Sequence, residues 1–566
     1  MEFFHKYSTL LEKNRKSHFW LFFIVLVFLS YLMLAFYESE NYMYIGHDIH
    51  LHIQRIEALM EALADGSFPI YIDYEAILGY GYPTKWFYPD ITLIPTALLA
   101  NATNVIFAYK TMMVVASVLT GVFMYATMSR VYNSSYIASM AALLYTFSYY
   151  RIQGLFERAA LGETLALTFL PIAFLGIYEI VKGDYKKWYI LSIGFTLLIF
   201  THVIVTFLVF LTIVIYLLVY NKTLLKDTKR IYYLVLSGLV TACLTAYFLY
   251  PLLEQMISND FYYNEKPFFH IGGSTFTPLF LWWAVFGVSF YPNTYDSIFL
   301  PALGSILTIM VAIRIFIRTK SRELKNVDNV VIIGIFYVIL CSSIIPWQIY
   351  PFKLLNVIQF TWRLFGLISF LFAIGGAYYS HTLIKSVKHR SLFTAFIIIL
   401  IIATNVVESK NVKTKYKEYP FEYEATVDNF YCQGTLEYVP AKVESGEYID
   451  ARRDRVDSKY KETQVSDFKR NKRVVNLNIK LADNKPEAIE VPLLYYKGYS
   501  ATINGKETPV GESKNGLVEL THVDESGTIE VAYTGTTIQK VSTILSMVSI
   551  ILLCAYIFFT KRRIEE

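Results

Sequence analysis

Residues Phe19 to Phe36 read FWLFFIVLVFLSYLMLAF, a run without a single charge that follows Lys6, Lys13, Arg15 and Lys16. As a helix, the run is long enough to cross a hydrocarbon layer of about 30 Å. No small-residue cleavage site follows it, and Tyr37 to Tyr44 are aromatic and acidic. The run therefore predicts an uncleaved first span with a cytoplasmic N-terminus. The rest of the 566 residues repeat the pattern. Hydrophobic residues make up 55%, charged residues 17%, and mean hydropathy is +0.40, whereas a soluble domain is about 25% charged. This composition excludes a string of soluble domains and predicts a polytopic α-helical membrane protein; the 46 Tyr and 42 Phe suit its many lipid-facing and interfacial surfaces. A net charge of +5 reports orientation here and implies no nucleic-acid partner. Three of the four cysteines, Cys243, Cys341 and Cys554, lie in apolar runs and leave Cys432 alone, so no disulfide framework or paired-cysteine metal site is available.

Further apolar runs fall near 105–129, 134–149, 163–181, 188–201, 203–220, 231–251, 298–318, 330–346, 362–384, 391–407 and 538–560. Basic clusters at 182–187, 222–230, 314–325, 385–390 and 561–563 mark cytoplasmic sides. About twelve spans satisfy them all, with both termini cytoplasmic, provided that 86–100 and 275–290 are re-entrant or interfacial. Pro89, Asp90, Pro95, Pro278 and Gly287 make those two stretches suited to that role. Residues 1–408 thus form a multispanning domain with a first outer loop at about 38–104. Residues 409–537 are charged and alternate in RVVNLNIKL, AIEVPLLYY, SATINGKETPV and GTIEVAYTG, with a hairpin signal at Asn504-Gly505. They predict a small extracytoplasmic β-rich domain, and 538–566 a last helix with a cytoplasmic tail.

On that topology the polar residues that are costly near a membrane collect on the outer face. In GHDIHLHIQRIEALMEAL (46–63), Asp48, His52 and Arg55 share one helical face at i, i+4 and i+7, with His47 beside them. An interfacial amphipathic helix accounts for this spacing equally well. GYGYPTKWFYPD (79–90) offers Lys85 and Asp90 in an aromatic pocket wall, or an aromatic belt at the lipid surface. YYRIQGLFERAALGETLAL (149–167) places Arg151, Glu157, Arg158 and Glu163 where one span gives way to the next, where charges are costly and mark function by default. His202, Glu254 and His270 also face outward, and NVIQFTWRLFG puts Gln359 and Arg363 at the mouth of another span. For His202 the ordinary role is a packed, hydrogen-bonded side chain, and for Arg363 it is snorkelling to headgroups. Together these residues supply one candidate base, Asp48. They also supply phosphate-binding candidates, His52 and the four arginines 55, 151, 158 and 363, beside a wall suited to a polyprenyl tail. No nucleotide, zinc or nucleophile-elbow motif occurs, so no cofactor is named. A divalent cation stays open, without a motif to support it.

The stretches GHDIHLHIQRIEALMEAL…GYGYPTKWFYPD, RAALGETLALTFLPIAFLGIYEI, IQFTWRLFGLISF and PLLYYKGYSATINGK resemble, in that order, the YfhO-like bacterial membrane proteins. Some of these carry the label 6-pyruvoyl-tetrahydropterin synthase-related, and the family is similar to the GT-C glycosyltransferases. The resemblance runs from about residue 46 to 506. It implies a GT-C-like fold, an extracytoplasmic active site in the cell membrane and a polyprenyl-phosphate sugar as donor. It also implies an envelope polymer such as lipoteichoic acid as acceptor, with Asp48 at the family's acidic position. The activity implied is that of a hexosyl- or N-acetylhexosaminyltransferase. His47 stands where many GT-C enzymes carry a second acid, which weighs against a paired-carboxylate metal site. Two other readings remain: a flippase of a lipid-linked saccharide, which would need inverted repeats with midplane sites, and a non-catalytic envelope scaffold.

Overall fold

A computed structural model describes residues 14–38, 43–44, 46–265, 274–287, 301–415, 420–421, 436–482 and 485–565. His270 lies outside the described residues. The chain forms two compact units. The first comprises Met1–Ile53, Leu99–Thr241 and Phe269–Ala425; the second comprises Gln54–Leu98, Ala242–Phe268 and Thr426–Glu566.

The first unit is helical. Its helices include α1 (Arg15–Tyr37), the start of α2 (Ile49–Ala64), α3 (Val105–Tyr132), α4 (Ser135–Thr146), α5 (Tyr149–Phe156), α6 (Leu161–Val181), α7 (Val203–Val219), α8 (Leu364–Leu383) and α9 (Val387–Lys415). Local chemistry sets several of their ends. Asn14, Asn104 and Ser134 accept backbone N–H groups in the first turns of α1, α3 and α4, which relieves donors that a helix start leaves orphaned. Asn133 closes α3 in the left-handed conformation at φ 54°. α8 is apolar on every side and 94% of its apolar window is buried, the signature of a central helix. Small residues let α6 meet the helix Tyr189–Ile199 closely. A Cβ on Gly176 would fall 2.3 Å from the Leu191 backbone nitrogen, and one on Gly194 2.6 Å from that of Ala173.

Among the described residues six helices are long and apolar enough to cross a membrane, and a seventh span results if Thr228–Leu244 and Ala246–Ser258 count as one. The chain is a membrane protein with a helical body. The helix lengths yield fewer full crossings than the twelve runs suggested, because several runs break: 134–149 contains a helix of 12 residues, 188–201 one of 11 and 203–220 one of 17. Among the described residues the two stretches expected not to cross also carry only short helices, the longest Ile94–Ala102 and Pro278–Phe286.

The second unit contains the β-rich region. Its strands are β1 (Asp457–Ser458), β2 (Gln464–Asn471), β3 (Val474–Lys480), β4 (Glu487–Leu494), β5 (Tyr499–Ile503), β6 (Lys506–Thr508), β7 (Val510–Glu512), β8 (Leu517–Val523) and β9 (Gly527–Tyr533). They form two sheets, ordered β1-β4-β8-β7 and β2-β3-β9-β5-β6. Alternating residues from both sheets, among them Leu477, Val491, Leu520 and Val531, bury one core, as a sandwich requires. Asn504 and Gly505, both at positive φ, turn β5 into β6, as the sequence signal predicts. Much of the aromatic stretch after α2 packs into protein core, while Lys85, Tyr88 and Asp90 line a small cavity. Tyr80, Tyr82 and Trp86 are buried, Trp86 meets Tyr496 and Tyr533, and Phe87 stacks on Tyr438 at 3.6 Å. α10 (Thr537–Glu565) follows, with only 17% of its apolar window buried.

Candidate active site

The first unit draws four charged residues from three distant stretches together. Glu163, in the first turn of α6, accepts from Arg158 Nη1 at 3.0 Å and from the Tyr150 hydroxyl at 2.5 Å. Arg363 Nε lies 3.6 Å from the same carboxylate. All three charged side chains are buried, and one carboxylate shared between two guanidinium groups leaves an excess positive charge. Asp48 completes the group. Its backbone N–H donates to the Arg158 carbonyl at 3.0 Å, and its half-buried carboxyl lies within electrostatic reach of Arg158, Arg363 and Glu163. Burial pushes that carboxyl above the usual carboxylate range; Arg158 and Arg363 pull it back and Glu163 pushes it up. The result is a better proton acceptor than a solvated aspartate, held beside fixed positive charge.

The backbone around this cluster is unusually constrained. Gly46 lets the loop before α2 approach the turn before α6, since a Cβ there would fall 2.6 Å from Ala159 Cβ. Ala159 itself has φ 52° and Gln359 φ 62°, a left-handed region that costs a non-glycine residue about 1–2 kcal/mol. Two such residues beside one charge cluster are what a functional site accumulates. Gln359 Oε1 accepts from Arg363 Nη1 at 2.5 Å, and Arg363 also donates to the Ile358 carbonyl.

The other predicted residues of this unit divide by role. His52 is buried and its Nε2 accepts the backbone N–H of Leu161 at 3.2 Å. It takes the place of a capping side chain that Ala160 cannot provide, and so fixes the start of α6, the helix that carries Glu163. His202 caps α7 by accepting from the Val205 N–H at 3.1 Å, and packs against Gly162. Glu157 is buried and accepts from Gln153 at 3.4 Å, whereas His47 is exposed. Arg151 is the most deeply buried of the arginines, at 1% exposure. Its Nη1 donates to the Thr146 carbonyl and Ser117 Oγ, while Nε and Nη2 meet no acceptor among the described residues.

Arg55, Lys85, Asp90 and Glu254 belong to the second unit. Arg55 donates to the Pro89 carbonyl at 2.7 Å and lies over the Tyr88 ring, and burial lowers its guanidinium to about 10. Lys85 is buried among Phe68, Tyr71 and Tyr247, hydrogen-bonded to the Tyr247 hydroxyl and 3.9 Å from Asp90. Burial lowers its ammonium to about 8. Glu254 pairs with Lys497 at 3.3 Å and accepts from Thr536. Gly46, Tyr150 and Ala159 are site residues that the sequence does not mark. A tyrosine among 46 carries no mark of its own, and left-handed backbone at an alanine carries none at all. Among the described residues no group of three or more His, Cys, Asp or Glu is placed to hold a metal ion.

No family model matches the chain and no solved structure matches it. An uncharacterized protein of Lactococcus lactis subsp. cremoris (strain MG1363) is 24% identical over 371 residues, which cover 62% of this chain. The chain spans 58% of the length of that relative.

Proposed function

We propose that the protein is a membrane glycosyltransferase of GT-C type that moves a sugar from a polyprenyl phosphate to a hydroxyl of an envelope polymer such as lipoteichoic acid. The reaction takes place at the outer face of the cell membrane. On this reading the shorter helices complete a frame of about twelve spans with both termini cytoplasmic. The carrying observation is the position of Asp48, a carboxyl raised by burial and in reach of two arginines that share a single counter-charge.

The Asp48 carboxylate takes the proton of the acceptor hydroxyl as its oxygen bonds to the anomeric carbon. The bond from that carbon to the phosphate oxygen breaks on the opposite side, and the electron pair leaves with the lipid phosphate, so the configuration inverts. The departing phosphate needs positive charge more than a proton. Arg158 and Arg363 supply the field, and Arg151 has unpartnered N–H donors for oxygen acceptors. His52 positions the start of α6.

Asp48→Asn should abolish sugar transfer in membranes supplied with polyprenyl-phosphate sugar, a loss of at least about 10²-fold, with unchanged amounts of folded protein. The pH profile of the native enzyme should have its acidic limb above the usual aspartate value of about 3.9, because activity appears as Asp48 loses its proton. Full activity in the variant would remove Asp48 from the reaction.

A further inference from the structure

The second unit carries an open groove of about 160 Å³ that the proposed reaction leaves unused. Ala58 and Ala62 on α2 line it with small side chains, together with Ile70 and Ile72. Glu57 and Glu61 stand one turn apart on the same helix and Asp65 follows it, while Asp73 and Glu75 enter from the next loop. Lys472 and Arg473 complete the rim, and Lys472 pairs with Asp65 at 2.7 Å. Five carboxylates therefore face two cations, and like charges four apart on a helix work against it.

A separate observation at the base of the groove also calls for a donor. Gln54 is 7% exposed; its Nε2 donates to Asp73 at 3.4 Å, but its Oε1 meets no donor among the described residues. A buried carbonyl oxygen without a donor is costly, and native structures seldom leave one. The lack of any cluster at metal-ligand spacing among the described residues disfavours a calcium-like ion, which takes six or more oxygens at short range. An ammonium group, with three donors, needs only a few separated acceptors.

We propose that this groove binds a small organic cation: a primary ammonium donating to Gln54 Oε1 and the surrounding carboxylates, with its carbon body resting on Ala58, Ala62 and Ile70. The site does not depend on the proposed sugar transfer. The test titrates the full chain in detergent micelles with glucosamine and, at matched ionic strength, with N-acetylglucosamine and magnesium chloride. Glucosamine should bind at least about tenfold more tightly than its neutral acetylated form, and magnesium should not displace it. Glu61→Gln, at an exposed position where folding is undisturbed, and Gln54→Leu should each weaken glucosamine by about tenfold. Asp48→Asn should bind it unchanged, which separates this site from the reaction. Equal binding of the two sugars, displacement by magnesium, or native affinity in both groove variants would each overturn the proposal and leave an ordinary solvated acidic face.

Discussion

The charge cluster of the first unit and the acidic groove of the second handle ionised groups in opposite ways. Around Glu163 the charges are buried and paired, with Arg158 and Arg363 on one carboxylate and Asp48 in reach of both. Around Gln54 the carboxylates outnumber the cations, and Glu61, Asp65 and Glu75 are exposed. The buried cluster persists because Glu163 offsets the two guanidinium groups that share it, whereas the groove's exposed carboxylates are screened by water. Removing the shared carboxylate should therefore be severe in the first unit, and removing one carboxylate mild or favourable in the second.

The largest effect is expected at the carboxylate on which two arginines depend. Glu163→Gln leaves Arg158 and Arg363 buried without their shared counter-charge, a loss of about 3–5 kcal/mol. It should appear as a sharp fall in the apparent unfolding midpoint of purified protein, or as failure to accumulate in membranes. A midpoint equal to that of the native chain would show that the cluster is solvated and would undo the contrast between the two regions. Asp48→Asn should behave differently. It removes a carboxyl whose proton affinity burial already raises, so folding should be unaffected or slightly improved at neutral pH while transfer is lost.

A smaller effect is expected from the backbone that brings Asp48 to the cluster. Gly46→Ala introduces a Cβ 2.6 Å from Ala159 Cβ, too close for two carbons, so the loop before α2 must shift. Overpacking of this kind costs about 1–3 kcal/mol, and it should lower transfer more than stability because the displaced element carries Asp48. The check is the ratio of rate to folded protein. A fall in both by the same factor would assign Gly46 to packing alone.

The sequence made the framework readable wherever a short window holds the whole cause. The uncharged run at Phe19–Phe36 lies within α1, and Asn504-Gly505 forms a hairpin because both residues adopt positive φ. The broken runs were less legible. The chain turns at Phe147–Ser148 and at Phe200–His202, in stretches whose average hydropathy resembles that of a continuous span. Arg158, Glu163 and Arg363 were recognisable as costly charges. That Glu163 joins the other two was not, because Arg363 is distant in sequence and no local period encodes such a contact. His52 had the right face and another role: its ring nitrogen serves the Leu161 N–H, a partner in a different segment. The groove was passed over for a related reason. Glu57, Glu61 and Asp65 lie in one short window of sequence, but only the fold gathers Asp73, Glu75 and Lys472 about them.

The gentlest test of the contrast lies in that groove. Burial, followed by the neighbouring charges of Glu61 and Asp73, raises the Glu57 carboxyl to about 7, against about 4.3 for an unfolded glutamate. The folded chain therefore holds this proton more tightly than the unfolded chain does. The resulting stability is complete below about pH 4 and is lost as pH rises through about 7. Asp73, raised by burial to about 6, acts in the same direction over a slightly lower window. Glu57→Gln keeps the shape of the protonated side chain and cannot ionise, so its unfolding midpoint should match the native protein near pH 4 and exceed it by a few degrees at pH 8. Unfolding curves of both forms across that range decide the matter. Parallel curves would mean that Glu57 is as well hydrated as an ordinary surface acid, and that the groove's carboxylates are less crowded than their positions imply.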